Sequence, residues 1–220
     1  MDITFGDIQE TALIPLAIKA SETARPNARI KDEKAKQIIE TLGVDVSKFD
    51  PFMSHEGVVA RTIMFRDELK KLLKDYPDAL CINLGCGFDD KFSQVDNGKL
   101  TWFDVDLPDQ IAVRRKVYED RDRCTMLGGS ALDGEWTKDL PKKEMTIIVM
   151  EGVLEYFSKE QVKQCLRDTA ASDQEAVCFT ISSQMSSCYE DVKLAVKELN
   201  MEDRVFVVDS QNLSTGIGLQ

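Results

Sequence analysis

Short apolar runs alternate with amphipathic stretches from about residue 77 onward, whereas the preceding third of the chain carries only helical periodicity. Within that first third, residues 11–18 form an apolar run that predicts a short helix bent at Pro15, and Arg25-Pro26-Asn27 follows with turn chemistry. Ala35, Ile38, Ile39 and Leu42 share one face of a helix expected over 31–42, with Gly43 as its stop. Residues 50–54 are expected as a loop, and Ile63, Leu69, Leu72 and Leu73 mark a helix over 58–74. The run 79–84 is too short for a helix and leads into glycines, which predicts a buried strand. Further strands are expected over 100–105, 123–127, 145–150, 175–181 and 204–208. Helices are expected between them over 109–120 after Pro108, over 159–169 behind a capping box of Ser158 and Gln161, and over 189–199.

Strands separated by helices pair in parallel through right-handed crossovers, so the pattern predicts a doubly wound, mostly parallel α/β sheet. The chain reads as a single domain with two parts. A helical N-terminal cap, 1–76, is expected to fold over the sheet's carboxyl edge, and 77–220 to form a Rossmann-like core.

Composition removes several functions without altering that picture. A net charge of −11 speaks against a nucleic-acid partner, because neutralising phosphates requires a basic face. No stretch approaches the roughly 20 apolar residues of a membrane span. The N-terminus lacks the basic start and apolar core of a signal peptide. Cys81, Cys86, Cys124, Cys165, Cys178 and Cys188 are scattered without a C-x-x-C pair, and His55 is the sole histidine, so no metal site is expected. Reduced, largely buried thiols and a cytoplasmic location follow.

In open α/β sheets, ligands bind beyond the carboxyl ends of the strands. Gly85, Cys86 and Gly87 follow the first strand, where glycine permits positive φ and close approach of backbone N–H groups. Asp104 and Asp106 end the second strand and Leu107 follows them; an acid there can accept from both hydroxyls of an adenosine ribose. That pair specifies a nucleoside and no particular cofactor. A dinucleotide site requires a third glycine three residues after Gly87, but the chain continues Phe88-Asp89-Asp90, and two carboxylates repel a pyrophosphate. A sulfonium carrying an ammonium tolerates them. Asp89 and Asp90 read equally as surface charges. Glu151, leading into Gly152, is either a ligand-facing acid or a helix-start carboxylate favoured by the macrodipole. Arg61 and Arg66 are candidate donors to a ligand carboxylate, against the alternative of an exposed helix face.

Together these stretches resemble the leucine carboxyl methyltransferase family, including its bacterial branch related to polyketide O-methyltransferases. The likeness runs through Thr11-Ala12-Leu13, Ser21-Glu22-Thr23-Ala24-Arg25-Pro26, Val59-Ala60-Arg61-Thr62, Asn83-Leu84-Gly85-Cys86-Gly87-Phe88-Asp89 and Trp102-Phe103-Asp104-Val105-Asp106-Leu107-Pro108. It continues through Gly129-Ser130-Ala131-Leu132-Asp133 before Trp136, and through Glu151-Gly152-Val153-Leu154-Glu155-Tyr156, covering about 11–170. The resemblance implies S-adenosyl-L-methionine as cofactor. It assigns Arg61 to the cofactor carboxylate, Gly85 to the methionine part, Asp106 to the ribose and Glu151 to the methyl-donor end. The family's aspartate-leucine pair at the adenine is replaced here by Ser130-Ala131 or, in a shifted alignment, by Leu132-Asp133. The tail from Ser183 onward resembles nothing in the family, and a shortened final strand pairing is expected there.

Methyl transfer from a sulfonium to an oxyanion needs position and exclusion of water more than acid–base help. A carboxylate or phenol on a small molecule is the expected acceptor. His55, read as a loop histidine, and Tyr156 are conceivable assistants, and neither is assigned as a base. Two alternatives stand beside this reading: a degenerate member that binds the cofactor without turnover, and an NAD-type oxidoreductase.

Overall fold

A computed structural model describes residues 11–43, 52–138, 140–169, 175–180, 188–203 and 205–209. Residues 1–10, Asp50-Pro51, Ile181, Arg204 and, in the tail from Ser183, residues 183–187 and 210–220, on which sequence expectations also fell, lie outside the described residues.

Three helices come first: α1 (Leu13–Thr23), α2 (Glu33–Leu42) and α3 (Phe52–Asp75). The remainder alternates β1 (Leu80–Leu84), α4 (Lys91–Val95), β2 (Thr101–Asp106), α5 (Pro108–Arg114), β3 (Cys124–Gly128), β4 (Met145–Met150), α6 (Lys159–Thr169), β5 (Glu175–Thr180), α7 (Cys188–Glu198) and β6 (Val205–Asp209). The strands form one sheet in the order β3-β2-β1-β4-β5-β6, with every pairing parallel. The doubly wound α/β fold expected from the sequence is therefore present. The order changes direction between β1 and β4, which is where open α/β sheets part their loops to admit a ligand.

Alternate side chains on the strands build two layers. Leu80, Ile82, Leu84, Ile148 and Met150 pack toward Val162, Leu166, Val192 and Ala195 of α6 and α7. Cys81, Trp102, Ile147 and Val149 pack toward Phe65 and Leu69 of α3 and Phe92 of α4. Both central strands are buried along their whole length, as crossover helices on both faces require. A third cluster joins Leu13 and Leu16 of α1 and Ile38 of α2 to Cys86 and Phe88 in the loop after β1.

Several boundaries differ from expectation. Pro15 causes no break; it falls in the first turn of α1, where no intrahelical N–H is owed. The expected loop at 50–54 is helical from Phe52, which makes His55 a helical residue. The helix after Pro108 stops at Arg114, six residues early, and α4 was not foreseen. The capping box on α6 is present: Ser158 N–H donates to Gln161 Oε1 at 2.8 Å, and Gln161 N–H to Ser158 Oγ at 3.4 Å. The last strand pairs β5 over five residues, from Ala176 beside Val205 to Thr180 beside Asp209. Among the described residues no helix is long and apolar enough to cross a membrane. Cys81, Cys86, Cys124 and Cys165 are buried free thiols; the side chains of Cys178 and Cys188 are outside the described residues.

Candidate cofactor site

The sheet register builds the site. Leu84 of β1 lies beside Val105 of β2 and Met150 of β4. The next residue on each strand path, Gly85, Asp106 and Glu151, therefore reaches the carboxyl edge in one layer, about 4.8 Å apart from strand to strand. Asp106 in turn lies beside Gly128 of β3, which brings Gly129 and Ser130 to the same edge.

Backbone conformation fixes the first loop. Gly85 and Gly87 have φ of 69° and 49°, and Gly152 has 74°. At Gly85 a Cβ would stand 2.1 Å from Val153 Cγ2, so side-chain absence is what lets the loops after β1 and β4 close on each other. Gly85 and Cys86 both give their N–H to Val105 O, at 2.8 and 3.2 Å. Gly87 N–H goes to Asp106 Oδ2 and Leu107 N–H to Asp106 Oδ1, each at 2.8 Å. Each oxygen of Asp106 keeps accepting capacity, since a carboxylate offers about four lone-pair positions. Burial pushes the Asp106 carboxyl above its ordinary range, against the lowering effect of those two N–H bonds. Leu107 beside it is exposed, at 38%.

Asp104 requires a correction. It was expected at the ribose together with Asp106, but it is 2% exposed and its acceptor positions are taken. Asn83 Nδ2 and Trp102 Nε1 donate to Oδ1 at 3.0 and 2.9 Å; Arg114 Nη2 and Cys124 Sγ donate to Oδ2 at 2.7 and 3.8 Å. The same Arg114, itself fully buried, donates from Nη1 to Gly87 O at 2.9 Å and from Nη2 to Asp89 O at 2.7 Å. Asp104 thus anchors the arginine that props the loop 85–89 from below.

Five alternating charges line the other side. Lys19 of α1 pairs with Asp89 Oδ1, and Lys91 of α4 bridges Asp89 Oδ2 and Glu151 Oε2. Arg61 Nε of α3 closes the chain on Glu151 Oε1 at 2.6 Å. Burial alone would raise the carboxyls of Glu151 and Asp89, but the surrounding cations overcome it and hold both well below the usual range. Arg61, read from the sequence as a donor to a ligand carboxylate, pairs here with Glu151, whereas Arg66 turns to its neighbour Asp67. Sequence reading missed Lys19, Lys91 and Arg114: Lys19 reaches Asp89 and Lys91 reaches Glu151 from 70 and 60 residues away, and Arg114 meets Asp104 from the following helix.

The two carboxylates after Gly87, expected to repel a pyrophosphate, are not bare. Asp89 is neutralised by two lysines and Asp90 pairs with Arg121 at 2.8 Å, so neither presents an unpaired charge to a pyrophosphate. What remains against a dinucleotide is Asp90 in the third glycine's place.

The region after β3 is locally satisfied. Ser130 Oγ accepts from Leu132 N–H at 3.1 Å, its carbonyl accepts from Trp136 Nε1 at 2.9 Å, and Ala131 packs on the core. Asp133 is exposed and caps a short 3-10 helix through Glu135 N–H at 3.1 Å. His55 is buried against Glu22, Nε2 to Oε2 at 2.8 Å, and Tyr156 is exposed with its hydroxyl 3.3 Å from Thr11 Oγ.

Comparison with known proteins bears on the fold and the family. A solved structure from Thermobifida fusca YX, given provisionally as a methyltransferase, superposes with a TM-score of 0.54 at 13% identity, covering 90% of this chain and 75% of that one; at that identity the likeness bears on the fold alone. The tetracenomycin polyketide synthesis O-methyltransferase TcmP of Streptomyces glaucescens is 27% identical over 167 residues, 75% of this chain and 62% of TcmP. This chain therefore spans less than two thirds of that relative's length. A family model for an uncharacterised protein of the DegV family matches residues 145–220, under half of the chain. The model for leucine carboxyl methyltransferase matches residues 12–170, which takes in Arg61, the loop after β1, Asp106, Ser130 and Glu151. The chain belongs to the leucine carboxyl methyltransferase family.

Proposed function

We propose that the chain is an S-adenosyl-L-methionine-dependent O-methyltransferase acting on a carboxylate or phenolic hydroxyl of a small molecule, in the cytoplasm. The observation that carries the proposal is the layer of Gly85, Asp106 and Glu151 at the switch point, with Gly87 N–H already turned onto Asp106. That layer suits the cofactor's parts. Asp106 is a half-buried acceptor for ribose hydroxyls, and exposed Leu107 offers an apolar face to the adenine. Gly85, Cys86, Gly87 and Gly152 present backbone at close range. Arg61 gives only Nε to Glu151 among the described contacts, which leaves its terminal nitrogens for a carboxylate. Glu151 supplies a fixed anion for the ammonium and sulfonium end. Ser130 and Ala131 complete the rim.

When bound, the cofactor supplies an electrophilic methyl group on a positive sulfur. The residues around it bind and orient, and they keep water from the reacting line. No side chain is assigned as a base. His55 is committed to Glu22 inside the helical region, and a carboxylate acceptor requires none. The role of TcmP in polyketide synthesis supports a small-molecule acceptor.

The test is incubation with methyl-labelled cofactor and a panel of phenols and carboxylic acids. Label in a base-stable ether or a base-labile ester is the expected result. Cofactor binding with no label transferred to any of them would favour the non-catalytic reading.

A further inference from the structure

We infer that Lys91 is a positioning residue of this site: it fixes the orientation and negative charge of Glu151 and, through Asp89 and Lys19, ties Glu151 to α1. Its consequence for the ligand rests on the cofactor reading above; its geometry does not.

Lys91 is 5% exposed, with Nζ 2.5 Å from Glu151 Oε2, paired also with Asp89 Oδ2, and 5.6 Å from the centre of the Phe65 ring. A buried ammonium survives only where anions compensate its lost hydration, and here two do. Glu151 has one oxygen on Lys91 and the other on Arg61, so it cannot rotate without breaking a charge-assisted bond. The two cations are not equivalent. Arg61 is the residue proposed to meet the ligand carboxylate with its terminal nitrogens, so its charge is shared between Glu151 and the ligand. Lys91 sits on α4 with its ammonium on both Asp89 and Glu151, and its charge is committed to these two carboxylates alone among the described ion pairs. The charged groups facing Glu151 are Lys91 from α4, Arg61 from α3, Lys19 from α1 and Asp89 from the loop after β1. With Lys91 removed, the half-buried Glu151 carboxyl keeps Asp89, Arg61 and Lys19 nearby and loses its strongest cation, so its pKa rises.

The experiment compares the full chain with Lys91→Met and Lys91→Arg. S-adenosylhomocysteine affinity is measured by calorimetry from about pH 5 to pH 8, and the Glu151 carboxyl is followed by carbon-detected NMR. Wild type is expected to bind with a flat profile and an ionised Glu151 throughout. Lys91→Met is expected to bind about tenfold more weakly at neutral pH and to lose further affinity toward acid with a one-proton slope, while Lys91→Arg recovers to within about threefold. A cooperatively folded Lys91→Met with wild-type affinity and a flat profile overturns the inference. A wild-type chain that does not bind S-adenosylhomocysteine sinks the cofactor reading instead. The Glu151 carboxyl then decides for Lys91: an unmoved titration in Lys91→Met overturns the inference, and a raised one supports it. If Lys91→Met does not fold, a Glu151 carboxyl titrating at its ordinary position in wild type overturns it alone.

Discussion

Asp104 and Asp106 lie two residues apart on the same face of β2, yet depth in the sheet gives them different work. Asp104 is enclosed with Arg114, and truncating one partner of a buried ion pair strands the other. Asp104→Ala is expected to cost about 3–5 kcal/mol in chemical denaturation, with the midpoint falling at constant slope. Asp106→Ala is expected to leave stability within about 1 kcal/mol and to weaken S-adenosylhomocysteine at least about tenfold. Gly85→Ala should destabilise as well, since it meets Val153 Cγ2 and holds φ at 69°, and Val153→Ala in the same chain should recover part of the loss by relieving the contact but not the φ strain. At this scale Gly85, Asp104, Asp106 and Glu151 stand out in the sequence because each lies at or near a strand's carboxyl end, whereas Arg61 lies in mid-helix and stands out only through the family resemblance. It could not reveal depth, which is why Asp104 was grouped with Asp106. Nor could it reveal Lys19 and Lys91, whose partners Asp89 and Glu151 lie 70 and 60 residues away.

Elements were legible where local chemistry and periodicity agree. The apolar β-branched run of β4 is bounded by charge, and its limits match those expected, Met145–Met150. α6 begins at a reciprocal cap, so Ser158→Ala should cost about 1 kcal/mol, visible as a lower denaturation midpoint with unchanged affinity for the cofactor product. α3 and α5 depart from their expected bounds for different reasons. Asp50-Pro51 suggests a turn in the sequence, yet α3 starts at Phe52. α5 was drawn too long because Val117 and Tyr118 continue an apolar pattern; they pack below the loop after β1 from non-helical backbone, where Tyr118 donates its hydroxyl to Phe88 O at 3.0 Å. α4 has five residues, too few to show a period.

Across the molecule, stability depends on carboxylates that are paired in the folded state. Glu22 accepts from Arg29 and His55, and although burial opposes it, these partners hold its carboxyl at about 2, down from 4.5. Glu56, Asp89, Asp96 and Glu151 are lowered by their own cationic partners. A group depressed on folding contributes stability that is complete above its unfolded pKa and is lost as pH falls through its folded one. The melting temperature should therefore hold near neutrality and decline from about pH 4.5 toward pH 2. Asp32 and Asp106, raised by burial, oppose this and are outnumbered. A melting temperature that rose on acidification through that window would contradict the pairing.

The claim on which the rest depends is that the layer of Gly85, Asp106 and Glu151 holds a sulfonium nucleoside. Calorimetric titration of the full chain with S-adenosylhomocysteine, alongside NAD, tests it most directly. The account predicts saturable one-site binding of S-adenosylhomocysteine, lost in Asp106→Ala, and no heat from NAD. Binding of NAD with none of S-adenosylhomocysteine would contradict it.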